Sequence, residues 1–154
     1  MIRLKGTYEF WRGGELIDGR VIGGRLAYKI ENIVCTPVYE YLLKSLVGES
    51  PGDVSASYFA FGDDDTPVTE ADTTLGNELF RKAFTSKSWN GKQFVAICQL
   101  STDEANFGIK EVGLFSGGSI TADTGTLLSH ALKPIEKNSN ITYNVIYRLN
   151  LEEV

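Results

Sequence analysis

The acids are the first place to look for chemistry. Asp63, Asp64 and Asp65 stand in a row, with Glu70 and Asp72 close behind. Ca²⁺ takes about six to eight oxygens, and the EF-hand loop spaces its ligands alternately around an invariant Gly. Three consecutive carboxylates cannot all point one way along an extended chain. The run therefore reads as a solvated acidic turn, and no metal is assigned to it. His130 is the single histidine and the only candidate base for a Ser/His or Cys/His mechanism. Leu127, Leu128 and Leu132 around it mark a strand, Ser129 would point to the opposite face, and no GxSxG precedes it. It reads as a packed or surface histidine. One His and two Cys exclude two-histidine and cysteine-cluster zinc sites.

The glycine pairs Gly13-Gly14, Gly23-Gly24 and Gly117-Gly118 match neither GxGxxG nor a P-loop, and turns explain them. Among 20 Asp and Glu, any pairing for glycoside hydrolysis would be arbitrary, so a hydrolase acting on cell-wall glycan has no residues to name. Tyr8, Phe10, Trp11 and Tyr28, with Arg12 and Arg20, could make a sugar- or base-stacking surface, but such residues are more often core or subunit interface. Cys35 and Cys98 sit in the apolar runs NIVCT and FVAICQL and read as buried reduced thiols. The expectation is a protein with no catalytic, cofactor-binding or metal-binding residues.

The elements that hold these side chains are easier to read. The 154 residues suit one domain, with 42% hydrophobic and 23% charged residues. Sixteen Gly, 7 Tyr and 8 Phe tilt the chain toward β-structure with many turns. The net charge of −5 makes nucleic-acid binding a poor fit. No run approaches a membrane span, and MIRLKGTYEFWRGG has no continuous apolar segment, so neither a membrane helix nor a signal peptide is expected.

The last stretch is the organising one. Ile141, Tyr143, Val145, Tyr147, Leu149 and Leu151 alternate with polar residues, and only Ile146 breaks the pattern. Period two over 141–151 predicts a strand of roughly 37 Å, long enough to run through the middle of a sheet. Residues 1–34 read as a β-meander that could act as an N-terminal docking arm: strands over 2–11, 15–17, 21–22 and at Leu26, Tyr28 and Ile30, with turns at Gly13-Gly14 and Asp18-Gly19. Thr36-Pro37 predicts a helix start, with Thr36 as N-cap. Val38, Leu42, Leu43, Leu46 and Val47 keep helical spacing, and Gly48 ends it. That gives one helix, about 37–47, packed on a sheet face. A loop follows at 50–53. Further strands are predicted at 54–62, 79–88, 93–101, 109–115 and 126–131, the last closed by Pro134. Asn90-Gly91 signals a hairpin between the second and third of these. The polar stretch 62–77, with a helical turn at 73–76, and the stretch 116–125 are longer than hairpins need. The fold expectation is mainly β: an antiparallel sandwich or barrel-like domain with one packed helix.

Four segments carry a resemblance. TPVTEADTTLGNELFRKAFTS, preceded by Phe61-Gly62, resembles a segment of small tailed-phage virion proteins. IKEVGLFSGG resembles those proteins' I-x-E-x-G-L-F motif, and TGTLLSHALKPIEKNSNITYNVIYRLNL resembles their closing segment. GTYEFWRGGELI followed by ENIVCT is similar to their opening. The resemblance implies a structural component of the tail, tail fibre, collar or baseplate. It would assemble as a homo-oligomer and connect other virion proteins, with its motif residues holding the fold. In that setting Glu111 could pair with Arg81 or Lys82, and Gly113 would allow close backbone approach. The alternative is a capsid decoration or receptor- or carbohydrate-binding module on the virion, working through 62–77 or 116–125.

Overall fold

The computed structural model describes residues 2–49 and 55–153, and the loop expected at 50–53, with the first residue of the strand expected from 54, lies outside them. The fold is a sandwich of two open antiparallel sheets, without barrel closure. The C-terminal strand, called β12 in chain order (Tyr143–Glu153), is the spine of the first sheet. It pairs on one side with β1 (Ile2–Arg12) over the whole length of both strands, from Ile2 opposite Glu153 to Arg12 opposite Tyr143. On its other side lies β9 (Gln93–Leu100). β4 (Arg25–Glu31) and β8 (Ser86–Asn90) form the edges, giving the order β4-β1-β12-β9-β8. The strand thus starts two residues later than the alternation predicts. Ile146, which breaks the pattern, is buried on the outer face opposite Ile97.

The second sheet has the order β5-β11-β10-β6-β7, from β5 (Ile33–Val34), β11 (Thr126–Ile135), β10 (Ile109–Ser116), β6 (Ala56–Gly62) and β7 (Glu78–Ala83). The single strand expected over 79–88 is therefore two strands in different sheets. The chain crosses between layers at Phe84-Thr85, where the Thr85 amide donates to the Ile97 carbonyl. Pro134 does not close its strand. It lies inside β11, beyond the two residues that pair with β5 and beside a register shift against β10. A residue without an N–H is tolerated at such a place.

The inner faces meet over Tyr8, Phe10, Phe59, Phe61, Tyr143, Val145 and Tyr147, all nearly or wholly buried. Phe10 meets Tyr143 edge-on with 5.6 Å between centroids, while Phe59 and Phe61 stack at 6.4 Å. The Tyr8 hydroxyl bonds Ser129 Oγ across the layers.

Residues 2–34 are woven into both sheets rather than held apart as an arm. Only the hairpin of β2 (Glu15–Ile17) and β3 (Arg20–Ile22) stands outside them. Its turn, Asp18-Gly19, has positive φ at both residues, as the tight primed hairpin requires. The second predicted hairpin, β8–β9, also forms, with Gly91 and Lys92 as the two connecting residues.

The helix, α1 (Thr36–Leu46), follows Cys35 rather than Thr36 as N-cap. Thr36 is spent elsewhere: its amide and Oγ1 both donate to the Glu70 carbonyl, at 2.8 and 3.0 Å. The expected packing is present but slight, against β11. No residue of α1 is buried. Val38 touches the core, while Leu42, Leu43, Leu46 and the following Val47 are 52, 62, 77 and 73% exposed.

Candidate functional site

Two regions compete for the role. The first is the outer face of the second sheet. Leu75, Ala60, Phe115, Leu127 and Cys35 form a small second core there, roofed by the segments 62–77 and 116–125. Each segment is held by one buried ion.

Glu111 holds the first. Its side chain, 1% exposed, accepts the amides of Asp64 (3.1 Å), Gly76 (2.7 Å) and Asn77 (2.8 Å). It also meets His130 Nε2 at 2.9 Å, while His130 Nδ1 meets Asp72 Oδ2 at 2.9 Å. The expected pairing of Glu111 with Arg81 or Lys82 does not occur. β6 lies between β7 and β10, and in register Glu111 faces Gly62 whereas Arg81 faces Ala60. Donation of Gly76 and Asn77 amides to Glu111 also accounts for the absence of the helical turn expected at 73–76. The sequence carried a signal for this site. Lys110 and Glu111 are adjacent in a strand otherwise apolar on both faces, so one charge had to point inward and find partners.

Arg81 holds the second segment. Its guanidinium binds Glu78 through two bonds of 2.8 Å and donates to the Ser119 and Thr124 carbonyls at 3.0 and 2.8 Å. It lies over the Phe115 ring, 4.3 Å from the centroid. Lys82 goes instead to Glu104 at 2.8 Å. Gly113 makes room chiefly for a side chain and also for backbone: a Cβ there would stand 2.6 Å from Leu75 Cδ2 and 3.2 Å from the Ser129 carbonyl oxygen.

The electrostatics of His130 follow from its two neighbours. Burial disfavours its charged form, but hydrogen bonds and Coulomb attraction from Glu111 and Asp72 outweigh that and raise its pKa above the ordinary 6.5. Burial raises the Glu111 and Asp72 carboxyls, yet His130 and the backbone amides bring both below their ordinary values. Two carboxylates at hydrogen-bond distance favour the imidazolium form of His130, with a proton on each ring nitrogen.

The acidic run is dispersed by its own bonds. Asp63 Oδ1 accepts from Asn77 Nδ2 at 2.6 Å, and Asp64 Oδ1 accepts from the Thr66 amide at 2.6 Å. No cluster of metal-ligating side chains occurs among the described residues. Cys35 and Cys98 are buried and free, with burial pushing the Cys35 thiol up to about 12. The aromatic set does not come together. Tyr8 and Phe10 are in the core, Tyr28 packs against Phe10 and Tyr143, and Arg12 lies beside Arg25. Only Trp11 and Arg20 share a groove, about 660 Å³, between the β2–β3 hairpin and the outer face of the first sheet, with Asn90, Gln93 and Arg148.

The second region is apolar. Where the two sheets part beneath α1, Val34, Val38, Ala56, Phe94, Leu114, Leu128 and Leu149 line a cavity of about 400 Å³. A neighbouring cavity of similar volume adds Leu4, Tyr41, Leu42 and Leu151, and Trp89 borders both. Trp89, at the tip of the β8–β9 hairpin, is 79% exposed. Trp89 and the outward leucines of α1 make this the largest concentration of exposed apolar side chains described. Such surfaces mark contact with other molecules.

In comparisons with known proteins, the chain matches no family model, no curated protein and no solved structure.

Proposed function

We propose that the chain is a structural component of a tailed-phage particle. It would assemble as a homo-oligomer in the tail, neck, collar or fibre-attachment region and connect other virion proteins. One observation supports the assembly role above the rest: Leu42, Leu43, Leu46, Val47 and Trp89 are exposed beside apolar cavities, while Glu111, His130 and Arg81 are bonded inside the fold. The phage part of the reading rests on the four-segment resemblance. Several residues of those segments, Asp72, Leu75, Gly76, Glu78, Arg81, Glu111 and Gly113, meet in one locked cluster, in keeping with motifs that hold a fold. The test is quantitative mass spectrometry of density-purified particles from the phage encoding the chain. Peptides at a fixed multiple per particle are expected. Abundance in the lysate with absence from particles would overturn the reading.

A second reading, a carbohydrate-binding module on the virion, draws support from the Trp11 groove rather than from the two long segments, which are tied down. Titration with soluble cell-surface glycans, read by tryptophan fluorescence in wild type and Trp11→Ala, tests it. Saturable quenching that the variant lacks would favour it.

A further inference from the structure

We propose that Lys137 and Asn106 join in an intramolecular isopeptide bond that staples the turn before β10 to the turn before β12. The inference stands apart from the virion reading and uses a side chain that reading leaves idle. Lys137 is only 4% exposed. A lysine buried that far normally has an opposite charge beside it, because an isolated buried charge is costly. Among the described residues Lys137 takes part in no ion pair. Its nitrogen meets two neutral oxygens instead, Asn106 Oδ1 at 2.6 Å and the Asn138 carbonyl at 3.2 Å. Burial lowers its pKa, against the opposing pull of Glu104 and Asp103. Turning the amine into an amide removes the unpaired charge altogether.

The carboxamide is held for attack. Asn106 Nδ2 donates to the Thr102 carbonyl at 2.7 Å, so the amide is fixed at both ends. Its turn is closed by the Phe107 amide on the Ala105 carbonyl at 2.9 Å, with Ala105 at a positive φ of 53°. The turn that carries Lys137 is closed by the Ile141 amide on the Asn138 carbonyl at 3.1 Å and by the Tyr143 hydroxyl on the Glu136 carbonyl at 2.7 Å. With a C=O bond of about 1.2 Å, the 2.6 Å contact puts Asn106 Cγ within about 3.8 Å of Lys137 Nζ. Near-attack geometry has the reacting atoms about 3–3.5 Å apart, so a small shift completes the approach. The ammonium first gives a proton to solvent. The Nζ lone pair then adds to Cγ, the Cγ–Nδ2 bond breaks, and one Nζ proton leaves with Nδ2 as ammonia. Glu104 and Asp103 lie in the same turn as Asn106 to carry that proton. Asn106 is exposed, which gives the ammonia a way out.

Intact-mass spectrometry of the full chain tests this. Wild type is expected to be lighter than its sequence by one ammonia. Proteolysis should release one branched peptide, with Asn106 Cγ joined to Lys137 Nζ. Asn106→Ala, at an exposed position, and Lys137→Met are each expected at their full sequence mass. Fragmentation of the branched wild-type peptide locates the link whether or not Lys137→Met folds. Three results would each overturn the proposal: wild type at its full sequence mass, no branched peptide, or an ammonia loss that persists in Lys137→Met, which would mark a succinimide at an asparagine. None of these readings depends on whether the chain is found in particles.

Discussion

The roofed face of the second sheet and the open rim around α1 invert the usual division of labour. On the roofed face the polar residues that look like chemistry, Glu111, His130, Asp72 and Arg81, are sunk into the fold and bonded to one another and to backbone. On the rim the apolar residues that look like core, Leu43, Leu46, Val47 and Trp89, stand in water. Residue type gives the wrong role in both places because burial is decided by what covers a face. Two long segments cover the first, and nothing described covers the second.

The largest effect expected is at Glu111. Glu111→Leu removes the acceptor for three amides and leaves His130 charged beside a single carboxylate. Breaking a buried ionic network from one side costs about 3–5 kcal/mol. Urea denaturation should show that loss, and limited proteolysis should cut within 62–77 before the sheets unfold. A cost below about 1 kcal/mol, with 62–77 still protected, would mean that the segment is held by Leu75 and its apolar neighbours instead.

Much of the sandwich was legible in the sequence. Alternation placed β12 at the centre of a sheet, Asp18-Gly19 and the Asn90-Gly91 region placed both hairpins, and Pro37 and Gly48 bounded the helix within a residue or two. The β7–β8 crossing was not legible, since no Gly, Pro or Asn separates Ala83 from Ser86. The partners of Glu111 were hidden for a different reason. Three are backbone amides, which every residue but proline offers, and His130 and Asp72 come together across 58 positions only through β11 and the folded 62–77 segment. The exposure of α1 was hidden too, because helical spacing reports an apolar stripe and not its cover.

Gly113→Ala should come next in size. The added Cβ would meet Leu75 Cδ2 at 2.6 Å and Leu127 Cδ1 at 3.1 Å, inside a cluster with no open side. Overpacking of this kind costs about 1–3 kcal/mol. Adding Leu75→Ala removes the obstacle, so the two changes together should cost clearly less than their sum in a double-mutant cycle. Additive costs would place the strain in the strand backbone rather than against Leu75.

His130 gives the roofed face a pH signature that the rim lacks. Its folded pKa is raised, so its stabilisation is complete below about 6.5 and is lost as pH rises through the folded value. Glu111 and Asp72 are lowered, so their contribution is present above about 4.5 and 3.8 and is lost as pH falls through their folded values. Stability should therefore peak between about pH 4.5 and 6.5, with 62–77 loosening on the alkaline side. His130→Gln can donate to only one of the two carboxylates and should cost about 2 kcal/mol at pH 6. It should also flatten the alkaline slope of denaturation midpoints against pH. A slope unchanged in the variant would assign the pH dependence to other groups.

The smallest change in stability separates the two regions most sharply. Leu46→Ser truncates a side chain that is 77% exposed, so it removes little buried area on folding and should move the unfolding free energy by less than about 0.5 kcal/mol. If the rim is a contact surface, the same change should weaken self-association strongly, because Leu46 stands exposed on that surface. The roofed face predicts the opposite coupling: Glu111→Leu should destabilise the monomer while leaving the association of whatever remains folded unchanged, since the 62–77 segment it holds meets α1 at Thr36, the far end of the helix from Leu46. The two variants, measured side by side by urea denaturation and light scattering, should exchange places on the two axes. A Leu46→Ser chain that loses stability as a dilute monomer would mean that Leu46 is covered from within its own chain, and the rim would then belong to the core.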